Sequence, residues 1–361
     1  MRKASKVTAF AANVTIKDVA EHLGISHSTV SRALSDHPST NAQTKIRVRE
    51  AVEQLGYVPN AAARNLRRDR GTLVGLILPD IENELFGVVA QVMSRRCLKQ
   101  GYQMVLAVSD DDPVTEYNHI MALREARCSG IIMTPTPGLL EKTVELLHSV
   151  PVVQYSRHSP LLNAPSVSVD GERGVYVATQ HLLQLGHQRV AYIGMASDKS
   201  TGIERLAGFR KAHQERKVAV DSDLIRLGPF HREFAREAAG DLLQLADRPT
   251  AMVLGASAMT IGALQAVRQA SLEMPGDISL VCFGDAPWYS LMNPGLTTIG
   301  LPTSEIADVA ASQLLRLLVP GTGPNERNPT HLAVEPAFIV RGTTAAPPRG
   351  LARKAKKARA A

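Results

Sequence analysis

The stretch Val14–Leu34, VTIKDVAEHLGISHSTVSRAL, decides how this chain is read. Thr15 suits the N-cap of a helix over Ile16–Leu23, and Gly24 ends it. Ser26 suits the cap of a second helix, His27 to Ser35, which the breaker Asp36-His37-Pro38 stops. Ala20 is small where the two helices cross, and Gly24 permits a tight turn. Val19, Leu23, Ile25, Val30 and Leu34 supply a shared apolar core, so the stretch meets the needs of a helix-turn-helix. On the second helix Val30, Ala33 and Leu34 form the buried side. Ser28 and Arg32 share the opposite face, with His27 at the helix start. A recognition helix presents such side chains to base edges in the major groove, where Arg32 could donate two hydrogen bonds to a guanine. Thr15, Ser26, Thr29, Ser31, Asn41 and Thr44 are candidate phosphate contacts, which set register but not sequence. Any two short helices joined at a glycine can mimic this pattern, so the motif alone leaves the reading open.

Asn41 can cap a third helix, Ala42–Leu55, that stops at Gly56. Tyr57-Val58-Pro59 then leads into an Ala- and Arg-rich segment at Asn60–Arg68. From Leu73 the texture changes, and strand-like apolar runs such as LVGLILP, YQMVLAV, RVAYIG and ISLVCFG alternate with helical patterns. Continuous Val/Ile/Leu runs bounded by helices indicate parallel strands covered on both faces. Two α/β lobes of roughly 130 residues each fit the length, and the cleft between them is the default ligand pocket.

Charge follows the same division. Of the net +7, residues 1–72 carry 12 Lys/Arg against 6 Asp/Glu, and the last 19 residues carry 6 basic and no acidic side chains. The long middle is therefore mildly acidic, as expected of a DNA-binding head on a body that does not bind DNA. Cys97, Cys128 and Cys282 stand singly, without metal-ligand spacing, and read as reduced thiols. The first residues are basic, but no apolar run of signal-peptide or membrane-span length follows. The expectation is a cytoplasmic protein without a membrane partner.

The segments VTIKDVAEHLGISHSTVSRAL, LGYVPNAAARNLRR and VGLILPDIEN together closely resemble the LacI/GalR family of bacterial repressors. The resemblance runs from Val14 to about Gly342. It implies a small all-α helix-turn-helix headpiece on an α/β, two-lobed core like that of periplasmic binding proteins. The implied division is an N-terminal extension at 1–13, a DNA-binding domain at 14–59, a hinge helix and linker at 60–72, an effector-binding and dimerisation domain at 73–342, and a disordered basic tail at 343–361. By position, His27, Ser28 and Arg32 match the family's base-reading residues. Leu66 matches the leucine that the family wedges into the minor groove, flanked by Asn60 and Arg67 as further DNA contacts. A nine-residue helix is marginal in water, and its arginines repel one another until phosphates neutralise them.

ERLAGFR resembles the family's second-lobe signature and places Arg205 where members grip an effector. Phe230 matches an aromatic position that stacks on the ligand. Leu85, Phe86, Lys199 and Thr201 face the same cleft. Sugar-binding members commonly carry carboxylates or amides where this chain has Ser156, Ala256-Ser257 and Gly284, beside Asp285. Losing them while keeping Arg205, with Arg157 and Lys199 nearby, shifts the cleft toward an anionic effector such as a sugar acid of the gluconate type. The alternative is that only Arg205 contacts ligand.

Rival readings are an enzyme or a solute-binding protein on the same two-lobed fold. No GxSxG, P-loop or GxGxxG motif is present, and Asp110-Asp111-Asp112 reads as a charged loop after a strand rather than a metal site. The expectation is a regulator that is not an enzyme and needs no cofactor. Two headpieces reading adjacent half-sites imply a homodimer on a pseudo-palindromic operator.

Overall fold

The computed structural model describes residues 14–57, 71–319 and 330–348. The N-terminal extension, the Asn60–Arg68 segment with Leu66 and Arg67, and the lysine-rich end of the chain lie outside the described residues. The chain divides into two units, Met1–Gly71 and Thr72–Ala361.

The first unit holds α1 (Ile16–Leu23), α2 (His27–Leu34) and α3 (Ala42–Leu55). Each begins where a side chain satisfies backbone donors that the first helical turn leaves over. The Asp18 carboxylate accepts from the Thr15 amide and hydroxyl at 2.7 and 2.8 Å. Ser26 Oγ accepts from Thr29 N at 3.2 Å, and Asn41 Oδ1 from Thr44 N at 2.7 Å. Gly24 and Gly56 end α1 and α3 at φ 63° and 64°, a left-handed conformation that favours glycine. The core is Val19, Ala20, Val30, Ala33, Val48 and Ala51, and Leu34 is only half-buried.

In the second unit, β1 (Leu73–Leu78), α4 (Glu84–Lys99), β2 (Gln103–Val108), α5 (Pro113–Glu125), β3 (Gly130–Met133), α6 (Glu141–Leu147), β4 (Val152–Tyr155) and β5 (Ser166–Val169) build lobe 1. Lobe 2 follows with α7 (Gly171–Gln184), β6 (Val190–Met195), α8 (Ser200–Arg216), β7 (Ile225–Gly228), α9 (Arg232–Gln244), β8 (Ala251–Leu254), α10 (Thr260–Gln269), β9 (Ser279–Phe283) and β10 (Thr297–Gly300). The chain then returns to lobe 1 as α11 (Thr303–Leu317) and β11 (His331–Val334), and ends in lobe 2 with β12 (Ala337–Ile339).

The sheet orders are β11-β5-β4-β3-β1-β2 and β12-β10-β9-β8-β6-β7. All pairings are parallel except β10 with β12. Each sheet is sandwiched between helices. Leu76 and Leu78 face the α4/α11 side while Ile77 faces the α5/α6 side, and the second sheet divides its core in the same way.

Two expectations change here. YQMVLAV was expected to be a covered strand, but β2 is an edge strand with Val105 and Leu106 about two-fifths exposed. The tail was expected to start at Thr343, yet Thr343 is fully buried and its hydroxyl donates to Leu280 O at 2.8 Å. Ala345 O is held by His187 Nε2 at 2.9 Å, so an ordered strap continues past 342. His181 and His187 hold this strap: His181 contacts Thr344 Oγ1, and His187 also contacts Thr250.

Candidate functional site

In the first unit His27, Ser28 and Arg32 are exposed on one side of α2, opposite the buried Val30 and Ala33. Arg32 rests its Nε 3.4 Å from Ser28 O, a loose tether on an otherwise exposed side chain. Thr15, Ser26 and Asn41 are exposed, and Thr29, Ser31 and Thr44 half-exposed. Several of them already serve as caps, so a phosphate would meet hydroxyls and amides that are held in place. Asp36, at φ 55°, closes the turn after α2; Arg49 grips both its carboxylate oxygens at 3.0 Å and Lys45 Nζ donates to its backbone oxygen at 3.0 Å. An Arg32→Ala variant should lose about 1–3 kcal/mol of discrimination at one base pair. Competition binding of duplexes substituted position by position reads this as a localised loss of preference.

In the second unit Leu85, Phe86, Ser156, Arg157, Thr201, Arg205, Phe230 and Ser257 line one cavity of about 60 Å³ between the lobes. Asn83, Thr134, Tyr155, Leu301 and Thr303 also belong to the wall and had not been singled out from sequence. They lie at strand or helix ends distant in the chain, although Asn83 stands in the quoted VGLILPDIEN.

Arg205 is 8% exposed and lies with its guanidinium 3.8 Å from the centre of the Phe283 ring. Its NH1 donates to Gly255 O at 2.7 Å, and its buried Nε has no acceptor. No carboxylate pairs with it among the described residues. Burial disfavours the charge and lowers its pKa to about 10, still far above neutrality. A buried cation without a carboxylate partner in a cavity wall is costly alone and well suited to an incoming anion.

Three expected contacts sit differently. Lys199 does not line the cavity; it is 9% exposed, with Nζ 3.5 Å from Asp111 and 3.8 Å from Asp198. Asp285 is turned away from the cavity, both its oxygens held by Arg341 at 2.8 and 2.9 Å. Gly284 lies beside the cavity wall rather than in it: at φ +84°, a Cβ there would sit 3.0 Å from Leu85 Cδ1 and 3.1 Å from Ser257 Cβ. A larger side chain at 284 would therefore push lobe 1 away from lobe 2. Arg157 does line the cavity but also donates through both terminal nitrogens to Asp111. The cleft is thus less cationic than its composition suggests.

Behind Arg157, the fully buried Glu116 accepts from Thr136 N and Oγ1, both at 2.9 Å. Burial raises its pKa to about 7. An acid whose folded pKa lies above its unfolded value stabilises the fold below about pH 4.5, and that contribution is lost as pH rises through 7. Glu116→Gln should therefore raise the melting temperature more at pH 8 than at pH 5. Parallel thermal melts at the two pH values measure the difference.

A helix-turn-helix unit followed by a two-lobed α/β body with an interlobe ligand cleft defines a ligand-responsive DNA-binding regulator. Residues 15–60 match the "Bacterial regulatory proteins, lacI family" domain, and residues 179–344 match a periplasmic binding protein-like domain. The chain is 31% identical over 309 residues to the HTH-type transcriptional regulator RegA of Clostridium saccharobutylicum, covering 84% of this chain and 92% of that one. It is 32% identical to the HTH-type transcriptional regulator DegA of Bacillus subtilis, covering 81% and 88% of the two chains. Catabolite control protein A of Priestia megaterium is 30% identical over 85% of this chain and 93% of its own. The structure of the lac repressor dimer bound to operator superposes with a TM-score of 0.79 over 93% of this chain and all of that one; at 24% identity this likeness speaks for the fold. The chain belongs to the LacI family of transcription regulators. It is a DNA-binding regulator, not an enzyme.

Proposed function

We propose that this protein is a repressor whose operator affinity is set by a sugar acid of the gluconate type bound in the interlobe cleft. The observation that carries the reading is Arg205, a buried guanidinium in the cavity wall without a carboxylate partner among the described residues. A carboxylate is the ligand group that a planar arginine fork pairs with best. The ligand's hydroxyls would meet the polar groups of Asn83, Thr134, Ser156, Thr201 and Ser257, with Phe230 supplying an apolar face. Because Asp111 and Asp198 already pair with Arg157 and Lys199, one acidic group suits the cleft better than several.

The DNA-reading residues are Thr15, Ser26, His27, Ser28, Thr29, Ser31, Arg32, Asn41 and Thr44, with Asn60, Leu66 and Arg67 of the hinge. The working form is a homodimer on a near-palindromic operator in the cytoplasm. In support, Val105 and Leu106 of the edge strand β2 are exposed apolar side chains that a second copy would cover. Among the described residues no helix is long and apolar enough to cross a membrane.

Calorimetric titration with D-gluconate, D-galactonate, D-glucose and D-galactose tests the effector. Heat of binding from an acid but not from its parent sugar is expected. Binding of a neutral sugar with no response to the acids would refute the proposal.

A further inference from the structure

The seam between the lobes is charged on one side of the cavity, with Asp111 at its centre, and Lys199 Nζ also lies 3.8 Å from Asp198 of its own lobe. Asp111 stands in the loop after β2, in lobe 1. Arg157, also in lobe 1, donates both terminal nitrogens to its two oxygens. Lys199 stands just ahead of α8 in lobe 2 and brings Nζ to 3.5 Å from Asp111 Oδ2. Both cations are more than nine-tenths buried, so their attraction to Asp111 is weakly screened by salt. Around this triad, His158 N donates to Ser200 Oγ at 3.2 Å, and His158 Nδ1 lies 3.9 Å from Glu204 across the same seam.

The backbone that carries these groups passes through left-handed conformations. Asp110 and Asp111 adopt φ 52° and 54°, and Ser156, just before Arg157, adopts φ 64°. Such left-handed conformations are uncommon outside glycine and persist where surrounding contacts hold them. Removal of Arg157 or Lys199 would leave the other members as partly buried charges with fewer partners, which is costly.

We propose that Asp111 is an internal counter-ion that latches lobe 1 to lobe 2, so that the cleft is held closed before any effector enters. Arg157 clamps the carboxylate from its own lobe, and Lys199 is the group captured across the seam. Of the three, Arg157 alone lines the cavity, so it is the point through which a bound ligand acts on the latch. The inference goes beyond the effector reading and stands whichever ligand the cleft takes.

The test uses the full-length protein without ligand. Spin labels are attached to cysteines introduced by Glu141→Cys in lobe 1 and Asp241→Cys in lobe 2, both exposed positions, with Cys128→Ser to remove the half-exposed native thiol. Distance distributions from double electron–electron resonance are compared for the parent, Asp111→Asn, Lys199→Gln and the double variant. Asparagine tolerates the left-handed backbone at 111, so the change removes charge and keeps the turn. Each single variant should shift population to distances longer by several ångströms, and the double should go no further than either single. Should Asp111→Asn fail to fold, Lys199→Gln in the opposite lobe decides the question alone. Parent-like distances in the folded single variants, or additive widening in the double, would overturn the latch.

Discussion

Replacing Arg205 with methionine should abolish the effector response and leave the fold intact. Losing a buried, charge-assisted pair costs about 2–5 kcal/mol in a desolvated site, roughly 30-fold to several thousand-fold in affinity. The same change removes a buried charge that has no carboxylate partner in the ligand-free cleft. Methionine also retains much of the packing on Phe283, while Gly255 O loses a donor. The ligand-free protein should therefore change in stability by no more than about 1 kcal/mol in either direction. Titration calorimetry and thermal melting on one preparation separate the two effects. A large fall in stability with affinity retained would mean that Arg205 is structural.

The second large effect is expected at Gly208. In α8, one turn after Arg205, it lies where a Cβ would come within 2.1 Å of Glu172 O and 3.0 Å of Tyr176 N. Both atoms belong to the backbone of α7, so no side chain can turn aside to make room. The two helices cross backbone to backbone. Gly208→Val must push them apart, at a cost of about 3 kcal/mol or more. For a body of this size that lowers the melting temperature by ~6–12 °C. It should also weaken the effector response, because α8 carries Arg205. Thermal denaturation followed by circular dichroism measures the first effect. An unchanged melting temperature would show that α7 and α8 separate at little cost.

The helix-turn-helix was legible almost to the residue because its signals are local. Thr15, Ser26 and Asn41 cap within three positions, Gly24 and Gly56 stop their helices, and the apolar spacing is helical. The long buried strands were legible for the same reason. The segments that escaped notice are short or polar. β5 reads Ser-Val-Ser-Val, β7 is a half-exposed edge, and β11 and β12 pair only after the chain has crossed between lobes.

Within the cleft, the residue types carried over from the family resemblance were largely brought together. Their charge state was not legible, because it is set by pairings far apart in the chain. Asp111 reaches Arg157 across 46 residues and crosses to Lys199 in the other lobe, while Asp285 is claimed by Arg341 across 56. No periodicity links such positions. The apparent excess of positive charge therefore narrowed to Arg205 once the partners were in place. Thr343 was hidden in the same way: a Thr-Thr-Ala-Ala stretch looks like the start of a tail until Leu280 and His187 are found beside it.

This regulator should read a specific DNA sequence under the control of its interlobe cleft. The most direct measurement selects the operator from a randomised duplex pool. It then follows the operator's affinity by fluorescence anisotropy as D-gluconate is added to the wild type and to Arg205→Met. A near-palindromic operator is expected, with a shift in affinity for the wild type and the same operator bound without any shift by the variant. An operator affinity that responds equally in both proteins, or a pool from which no sequence is enriched, would contradict it.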